Sequence, residues 1–126
     1  MKFVATEKAP KAIGPYSQAV IEGGFLFTSG QVPFDPATNR LVEGGLEIAA
    51  ERVLDNLQAI LSQAGLSFAD VVKATVFLTR AEDFAPLNAV YARRFGEHRP
   101  ARSTVIVAAL PAGAPLEIDL IARVAG

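Results

Sequence analysis

The sequence contains no cysteine and no tryptophan, and it has a single histidine, His98. Without cysteine the chain can form no disulfide, no thiolate metal site and no cysteine nucleophile. One histidine excludes a zinc or non-haem iron site built from several imidazoles of the same chain, although carboxylates could hold a hard cation. We therefore expect a protein that carries no resident metal and no cofactor.

An excess of charge of one sign is also missing, since 12 Lys and Arg residues oppose 13 Asp and Glu residues. Binding to a phosphate backbone requires a concentrated basic face, so this composition argues against a nucleic acid partner. The N-terminus has no apolar signal segment, and no apolar run approaches the ~20 residues of a membrane-spanning helix. We expect a cytoplasmic protein with no membrane partner, folded as one domain over residues 1–126.

Residue periodicity predicts an α+β fold with the element order βββαβαββ. The predicted strands cover 3–6, 19–22, 25–29, 71–79, 103–110 and 116–124, and the predicted helices cover 46–64 and 83–95. Gly23-Gly24 indicates a hairpin between the second and third strands, and the proline-rich and glycine-rich segment 111–115 indicates a turn between the last two. Asp83 is the predicted cap of the second helix, and Gly65 and Gly96 are the predicted ends of the two helices.

Helices that alternate with strands, together with a hairpin at each end, predict one mixed sheet with both helices packed on one face. In the strand predicted over 71–79, Val72, Ala74, Val76 and Leu78 form a wholly apolar side that should meet the helices. The segment 104–110 is apolar on both sides, so the second sheet face also needs cover. We therefore expect a homo-oligomer in which partner subunits cover that face.

Three side chains are candidates for chemistry, and each has a structural alternative. Arg102 precedes an apolar strand, where its planar fork could bind a carboxylate, or it could be an exposed or ion-paired arginine. Glu117 alternates with the apolar side of the last strand, where it could orient water, or it could be an ordinary solvent-facing residue. Tyr16 stands in a turn-rich segment as a pocket wall or a packing aromatic.

Other catalytic motifs are absent. The sequence has neither of the glycine-rich phosphate-binding spacings, so nucleotide binding has no support. Thr28-Ser29-Gly30 lacks the first glycine of a nucleophile elbow, and a serine triad would have to use His98. His98 follows a helix-ending glycine, which is more typical of a solvated loop residue than of a general base.

Several short motifs, taken together and in order, resemble the Rid family, the reactive intermediate deaminases also known as YjgF-like enamine/imine deaminases. The matching positions span essentially the whole chain: 12–19 (AIGPYSQA), 28–31 (TSGQ), Asn88, 100–103 (PARS) and Glu117. The resemblance implies a chorismate-mutase-like fold assembled as a homotrimer, with active sites in the clefts between subunits. It also implies hydrolysis of 2-imino and enamine acids, such as 2-aminoacrylate, 2-iminopropanoate and 2-iminobutanoate, to 2-keto acids and ammonia.

The resemblance also implies roles for individual residues. Arg102 matches the arginine that binds the substrate carboxylate, and Glu117 matches the glutamate that positions the attacking water. The other positions matching the substrate pocket are Tyr16, Ser29, Gly30, Asn88 and Thr104. Thr104 departs from the cysteine of many family members, so a role that needs a thiol is missing. The segment before Pro100 is also shorter than in many relatives, which alters the rim of the pocket.

Two other functions compete with imine hydrolysis. A non-catalytic trimer could use the same cleft to bind a keto acid, as a regulator or chaperone, and it would then tolerate the loss of Glu117. Chorismate mutase shares the implied fold, but its dicarboxylate substrate calls for several cations in one cleft, whereas the matched positions offer one arginine. Ribonuclease activity has little electrostatic support from a net charge of -1.

Overall fold

The computed structural model describes residues 1–124 of the 126. Within this range the strands are β1 (Lys2–Val4), β2 (Ala19–Glu22), β3 (Phe25–Thr28), β4 (Phe34–Asp35), β5 (Arg40–Leu41), β6 (Val71–Leu78), β7 (Ala101–Ile106) and β8 (Leu116–Arg123). The helices are α1 (Leu46–Gln63), between β5 and β6, and α2 (Phe84–Phe95), between β6 and β7. Three single 3₁₀ turns precede β6, α2 and β8.

Six strands form one mixed sheet in the order β1-β2-β3-β8-β6-β7. Only β6 and β7 are parallel to one another among these neighbours, and α2 makes the crossover between them. Strands β4 and β5 form a separate small hairpin inside the turn-rich segment that follows β3. The strands of the large sheet follow the predicted order βββαβαββ, and the predicted mixed sheet is confirmed.

The prediction of a second hairpin at the C-terminal end is wrong. Strands β7 and β8 do not pair with each other, because β8 enters the middle of the sheet between β3 and β6. The segment 107–115 therefore passes over the end of β6 instead of making a tight turn. Strand β7 also begins two residues earlier than predicted and ends at Ile106. It is left as an edge strand with one free side.

The core lies between the helices and one face of the sheet. The apolar stripe of α1 supplies its centre, with Val53, Leu54, Leu57 and Ile60 completely buried. Gly65 adopts a φ of 75° just after α1, as predicted for a helix end. Asp83 does not cap α2 through its side chain. The 3₁₀ turn before α2 already holds Asp83 in a helical conformation, whereas a capping side chain needs an extended backbone.

A β-bulge at the start of β6 corrects one predicted core position. The register against β8 shifts between Val71 and Lys73, so Val71 is buried and Val72 remains 40% exposed. The remaining positions of that side, Ala74, Val76 and Leu78, face the core as predicted. The Nε2 atom of His98 lies 2.7 Å from the carbonyl oxygen of Val71 and donates to it. His98 is thus a half-buried residue that hydrogen-bonds a backbone carbonyl group of the bulge, and not the solvated loop residue expected.

Candidate functional site

Glu117 lies on the sheet face opposite the helices. Along β8 the buried residues Leu116, Ile118 and Leu120 alternate with half-buried ones, which places Glu117 and Asp119 together on the other face. Glu117 pairs with Phe77 of β6 across the sheet. The alternation predicted from the sequence is confirmed, and it brings two carboxylates to the same face.

Gly30 provides the space that the Glu117 side chain occupies. A Cβ atom added at Gly30 would lie 2.6 Å from Cδ of Glu117, closer than any ordinary contact, and it would also overlap Oε2. The backbone at Gly30 does not have a positive φ. Glycine is therefore required here by the close approach of a side chain and not by the backbone conformation.

An irregularity between β3 and β8 brings Gly30 to this position. Phe27 pairs with Ile121, and pairing resumes at an isolated bridge between Gln31 and Ile118, so the β3 side has one additional residue. The backbone N–H of Leu120, which falls within this irregularity, donates to the Thr28 hydroxyl at 2.9 Å. The Thr28-Ser29-Gly30-Gln31 motif thus forms the irregularity at the end of β3 that places Gly30 against the Glu117 side chain.

Burial raises the pKa of the Glu117 carboxyl above its ordinary value, and the nearby charge of Asp119 raises this pKa further. None of the hydrogen bonds within residues 1–124 uses the Glu117 carboxylate oxygens. The carboxylate is therefore available to an incoming molecule. A desolvated, unbonded carboxylate of this kind is suited to accept a proton from water.

A small cavity of about 150 Å³ opens beside Glu117. Its walls include Gly30, Tyr16 and Phe34, and the segment before β8 contributes Pro111 and Ala112. Tyr16 is 50% exposed, so it is a pocket wall in this chain and not a core aromatic. Ala112 adopts a φ of 58°, a conformation unusual for a residue with a side chain, in the turn that forms the rim. The space suits a small molecule of a few heavy atoms.

Ser29 orders the wall that carries Tyr16. Its hydroxyl donates to the carbonyl oxygen of Ser17 at 2.6 Å, and its backbone N–H donates to the carbonyl oxygen of Gln18 at 2.9 Å. The buried Gln18 side chain in turn accepts from the backbone of Thr6 and donates to that of Pro10. Ser29 precedes Gly30 of the cavity wall, and its hydroxyl proton is already used within the chain.

Arg102 lies on the other sheet face, at the edge strand β7. Its Nη2 donates to Oδ1 of Asn88 at 2.7 Å, and its guanidinium lies over the ring of Tyr91 at 4.7 Å from the centroid. The Phe84 ring is also close, at 5.6 Å. No carboxylate within residues 1–124 makes an ion pair with Arg102. Within the described residues Arg102 is thus neither ion-paired nor fully exposed, and its half-buried guanidinium keeps N–H groups that could donate to an anion.

The candidate residues form two groups on opposite faces of the sheet. Arg102 pairs with Ala74, whose side chain is buried beneath the helices, and Thr104 pairs with Val76 on that same side. Glu117 pairs with Phe77 on the other side. The first group is Arg102, Asn88 and Thr104, and the second group is Tyr16, Ser29, Gly30 and Glu117. One chain thus does not bring Arg102 and Glu117 into a single pocket.

Sequence reasoning missed Phe84 and Tyr91 as neighbours of Arg102. Both are aromatic residues that share one side of α2 with Asn88. The sequence spacing of residues 84, 88 and 91 could have indicated this, because it places the three side chains along one side of α2. The strand β7, which carries Arg102, follows α2 after a short connection. In the part of the chain that the structure describes, no cluster of three or more metal-ligating side chains occurs, and neither helix is long and apolar enough to cross a membrane.

The fold and these residues define a small α+β protein with an unpaired arginine held on aromatic rings and a partly desolvated glutamate beside a cavity. A family model described as Endoribonuclease L-PSP matches residues 6–124. The chain therefore belongs to this family, the YjgF/RutC/Rid family, and the resemblance noted in its motifs is confirmed. Its architecture is the chorismate-mutase-like fold of Rid proteins, as predicted.

Individual relatives cover almost the whole chain. A RutC family protein of Pyrococcus abyssi is 50% identical over 121 residues, which is 96% of this chain and 95% of the relative. The 2-iminobutanoate/2-iminopropanoate deaminase of Bos taurus is 48% identical over 121 residues, or 96% and 88% of the two chains. The crystal structure of RidA from an Antarctic Psychrobacter has a TM-score of 0.94 at 47% identity and covers 98% of this chain and 100% of its own. These names include both a deaminase and an endoribonuclease family, so the names agree on the family and differ on the reaction.

Proposed function

We propose that this protein hydrolyses small 2-imino acids and their enamine tautomers to 2-keto acids and ammonia. The substrates would be of the 2-aminoacrylate, 2-iminopropanoate and 2-iminobutanoate type. The observation that carries the proposal is the unpaired, preoriented guanidinium of Arg102, combined with an unbonded, partly desolvated carboxylate at Glu117. The first group can bind a carboxylate, and the second can activate water.

Arg102 would bind the substrate carboxylate. Asn88 occupies one N–H group of the guanidinium, and the remaining N–H groups can donate to both oxygens of a carboxylate in a bidentate pair. Lysine could not replace this planar fork. Thr104, one side-chain step along the same side of β7, would contact the substrate through its methyl and hydroxyl groups, where other family members use a thiol.

Glu117 would act as the general base. The carboxylate accepts a proton from water as the water oxygen bonds to the carbon of the protonated imine (the iminium form), which gives a neutral carbinolamine. The protonated Glu117 then gives this proton to the amino group. As the carbon–nitrogen bond breaks, the carbinolamine hydroxyl loses its proton to the Glu117 carboxylate, so the carbonyl forms, and the departing ammonia takes that proton away as ammonium. Because the imine carbon is already electrophilic, positioning and proton transfer are enough for the reaction.

The two groups of residues would meet between subunits of a homotrimer. They lie on opposite sheet faces of one chain, so a second copy must supply one of them. The face that carries Glu117 also exposes apolar side chains, with Phe25 39%, Phe27 40% and Val105 41% exposed. Large exposed aromatic groups on a sheet face favour self-association. The copy that covers this face could bring its Arg102 edge to the Glu117 cavity.

Trapping of the imine tests the proposal. An amino-acid oxidase generates 2-iminobutanoate in the presence of semicarbazide, and the purified protein should suppress semicarbazone formation. Arg102→Ala should remove this suppression, while Arg80→Ala is a matched control, because Arg80 makes only a surface ion pair with Glu82. If the native oligomer suppresses no semicarbazone from several imines, the deaminase assignment is wrong.

A non-catalytic keto-acid-binding protein remains the competing interpretation, since the Arg102 fork alone would bind a carboxylate. Glu117→Gln separates the two functions, because it removes the general base and leaves the Arg102 guanidinium, which would bind the carboxylate, unchanged. A deaminase loses about 100-fold or more in kcat with this variant and still binds 2-oxobutanoate. A binding protein shows no turnover to lose and keeps the same affinity.

A further inference from the structure

The side of α2 that faces β7 carries three residues in contact with the Arg102 guanidinium. Phe84, Asn88 and Tyr91 follow one another at spacings of four and three residues, so they form one line along the helix. The Asn88 amide accepts a hydrogen bond from the edge of the guanidinium, whereas the two rings lie near its carbon at 4.7 Å and 5.6 Å. Arg102 is thus contacted by aromatic groups as well as by an amide.

The two rings differ in how firmly they are held. Tyr91 is only 6% exposed, and its ring stacks on Phe95 at 4.3 Å with an interplanar angle of 21°. Phe95 in turn contacts Phe68 at 4.8 Å. Phe84, by contrast, is 43% exposed at the beginning of the helix. Tyr91 is therefore a fixed surface under the guanidinium, and Phe84 is a more open contact at the rim.

The Tyr91 hydroxyl takes no part in holding Arg102. It is buried and has no hydrogen-bond partner among the described residues. The attraction between the two side chains therefore comes from the ring face, where the electrons of the ring stabilise a cation. A phenylalanine at this position would keep that face, which makes Tyr91→Phe a conservative variant.

We propose that Tyr91, assisted by Phe84, is a positioning residue that presents the Arg102 fork to the substrate carboxylate. The Asn88 bond fixes one edge of the guanidinium, and the ring contact fixes its plane, so fewer orientations must be lost when a carboxylate binds. This inference rests on the proposed function, since it concerns the arginine of the same site. It assigns the aromatic rings of α2 a part in orienting the arginine that would bind the carboxylate.

Binding of 2-oxobutanoate, followed by calorimetry, tests this inference without relying on turnover. Tyr91→Leu should raise the Kd of 2-oxobutanoate about 10-fold, and Phe84→Leu should raise it about 3-fold, because the second ring is farther away and solvated. Tyr91→Phe should recover the affinity lost in Tyr91→Leu. Phe68→Leu is the packing control, because Phe68 supports the same aromatic cluster through Phe95 without touching Arg102, and it should leave Kd unchanged.

A double-mutant cycle separates positioning from general loss of structure. In an Arg102→Ala background, Tyr91→Leu should cause no further change in Kd for 2-oxobutanoate, although its effect on thermal stability persists. The inference is overturned if Tyr91→Leu binds as wild type, or if Phe68→Leu weakens binding equally. Should Tyr91→Leu fail to fold, Phe84→Leu at the exposed rim decides, and wild-type affinity in that variant counts against the proposal. If wild type neither binds 2-oxobutanoate nor suppresses semicarbazone, the proposed function itself has failed.

Discussion

Replacement of Gly30 by alanine should disable the site while leaving the fold intact. The new Cβ would lie 2.6 Å from Cδ of Glu117 and closer still to Oε2, whereas ordinary contact begins at 3.4 Å, so the carboxyl group must move by about 1 Å. A displacement of about 1 Å in a reacting group can cost about 100-fold in rate. We therefore expect Gly30→Ala to lower kcat by about 100-fold.

The stability of Gly30→Ala should change little. The φ angle of Gly30 is not positive, so alanine can adopt the same backbone conformation, and it removes conformational freedom from the unfolded chain. We expect the free energy of unfolding to stay within about 1 kcal/mol of wild type. Thermal unfolding followed by circular dichroism measures this change, and the semicarbazone assay measures the rate.

The mechanism of the loss is testable in a Glu117→Gln background. If Gly30→Ala acts by displacing the Glu117 carboxyl, the double variant should be no slower than Glu117→Gln alone, because the group that it displaces has already lost its function. A further 100-fold loss in the double variant would refute this reasoning. So would a Gly30→Ala protein with wild-type kcat, since the carboxyl could then move without consequence.

Two further predictions concern charge and stability. Burial and, to a smaller extent, the charge of Asp119 raise the pKa of Glu117, so activity should fall as the pH drops through this raised pKa. Asp119→Asn should therefore move the acidic limb of the kcat/KM profile to lower pH. An unchanged limb would contradict the coupling between the two carboxyl groups. The buried Gln18 amide binds the backbone of Thr6 and Pro10, so Gln18→Leu leaves buried polar groups unpaired and should cost about 3 kcal/mol, or about 10 °C in Tm by scanning calorimetry. A Tm within a degree of wild type would show that these bonds are replaced by water.

Much of the fold could be predicted because its signals are local. The α1 helix carries its apolar stripe in its own spacing, and Gly65 ends it in the conformation that glycine favours. The position of β8 was not predictable in this way. A turn-like segment before β8 indicated a hairpin with β7, but both edges of β8 instead pair with strands distant in sequence, β3 on one side and β6 on the other. Such long-range pairing leaves no mark in the spacing of one segment.

The candidate site shows the same division between local and long-range information. The alternation along β8 placed Glu117 on the correct face, but its raised pKa depends on packing and on Asp119. The bulge that buries Val71 in place of Val72 is accompanied by a hydrogen bond from His98, a residue 27 positions away. Arg102 was a candidate from its position before an apolar strand, and the motif resemblance implied its role, but its contact with Tyr91 became apparent only once α2 was placed beside β7.

A mixing experiment tests whether one active site takes Arg102 and Glu117 from two different chains. The two residues lie on opposite faces of the sheet. Every subunit of the Arg102→Ala protein lacks the arginine, and every subunit of the Glu117→Gln protein lacks the carboxylate, so neither protein alone can form a complete pair. If the chains are unfolded, mixed in equal amounts and refolded together, roughly a quarter of the intersubunit sites should combine an intact Arg102 with an intact Glu117. We therefore expect the mixture to recover roughly a quarter of wild-type activity per site. The double variant Arg102→Ala/Glu117→Gln, refolded with wild type, is the control for exchange, and mixed oligomers that recover nothing would require both residues to act from one chain.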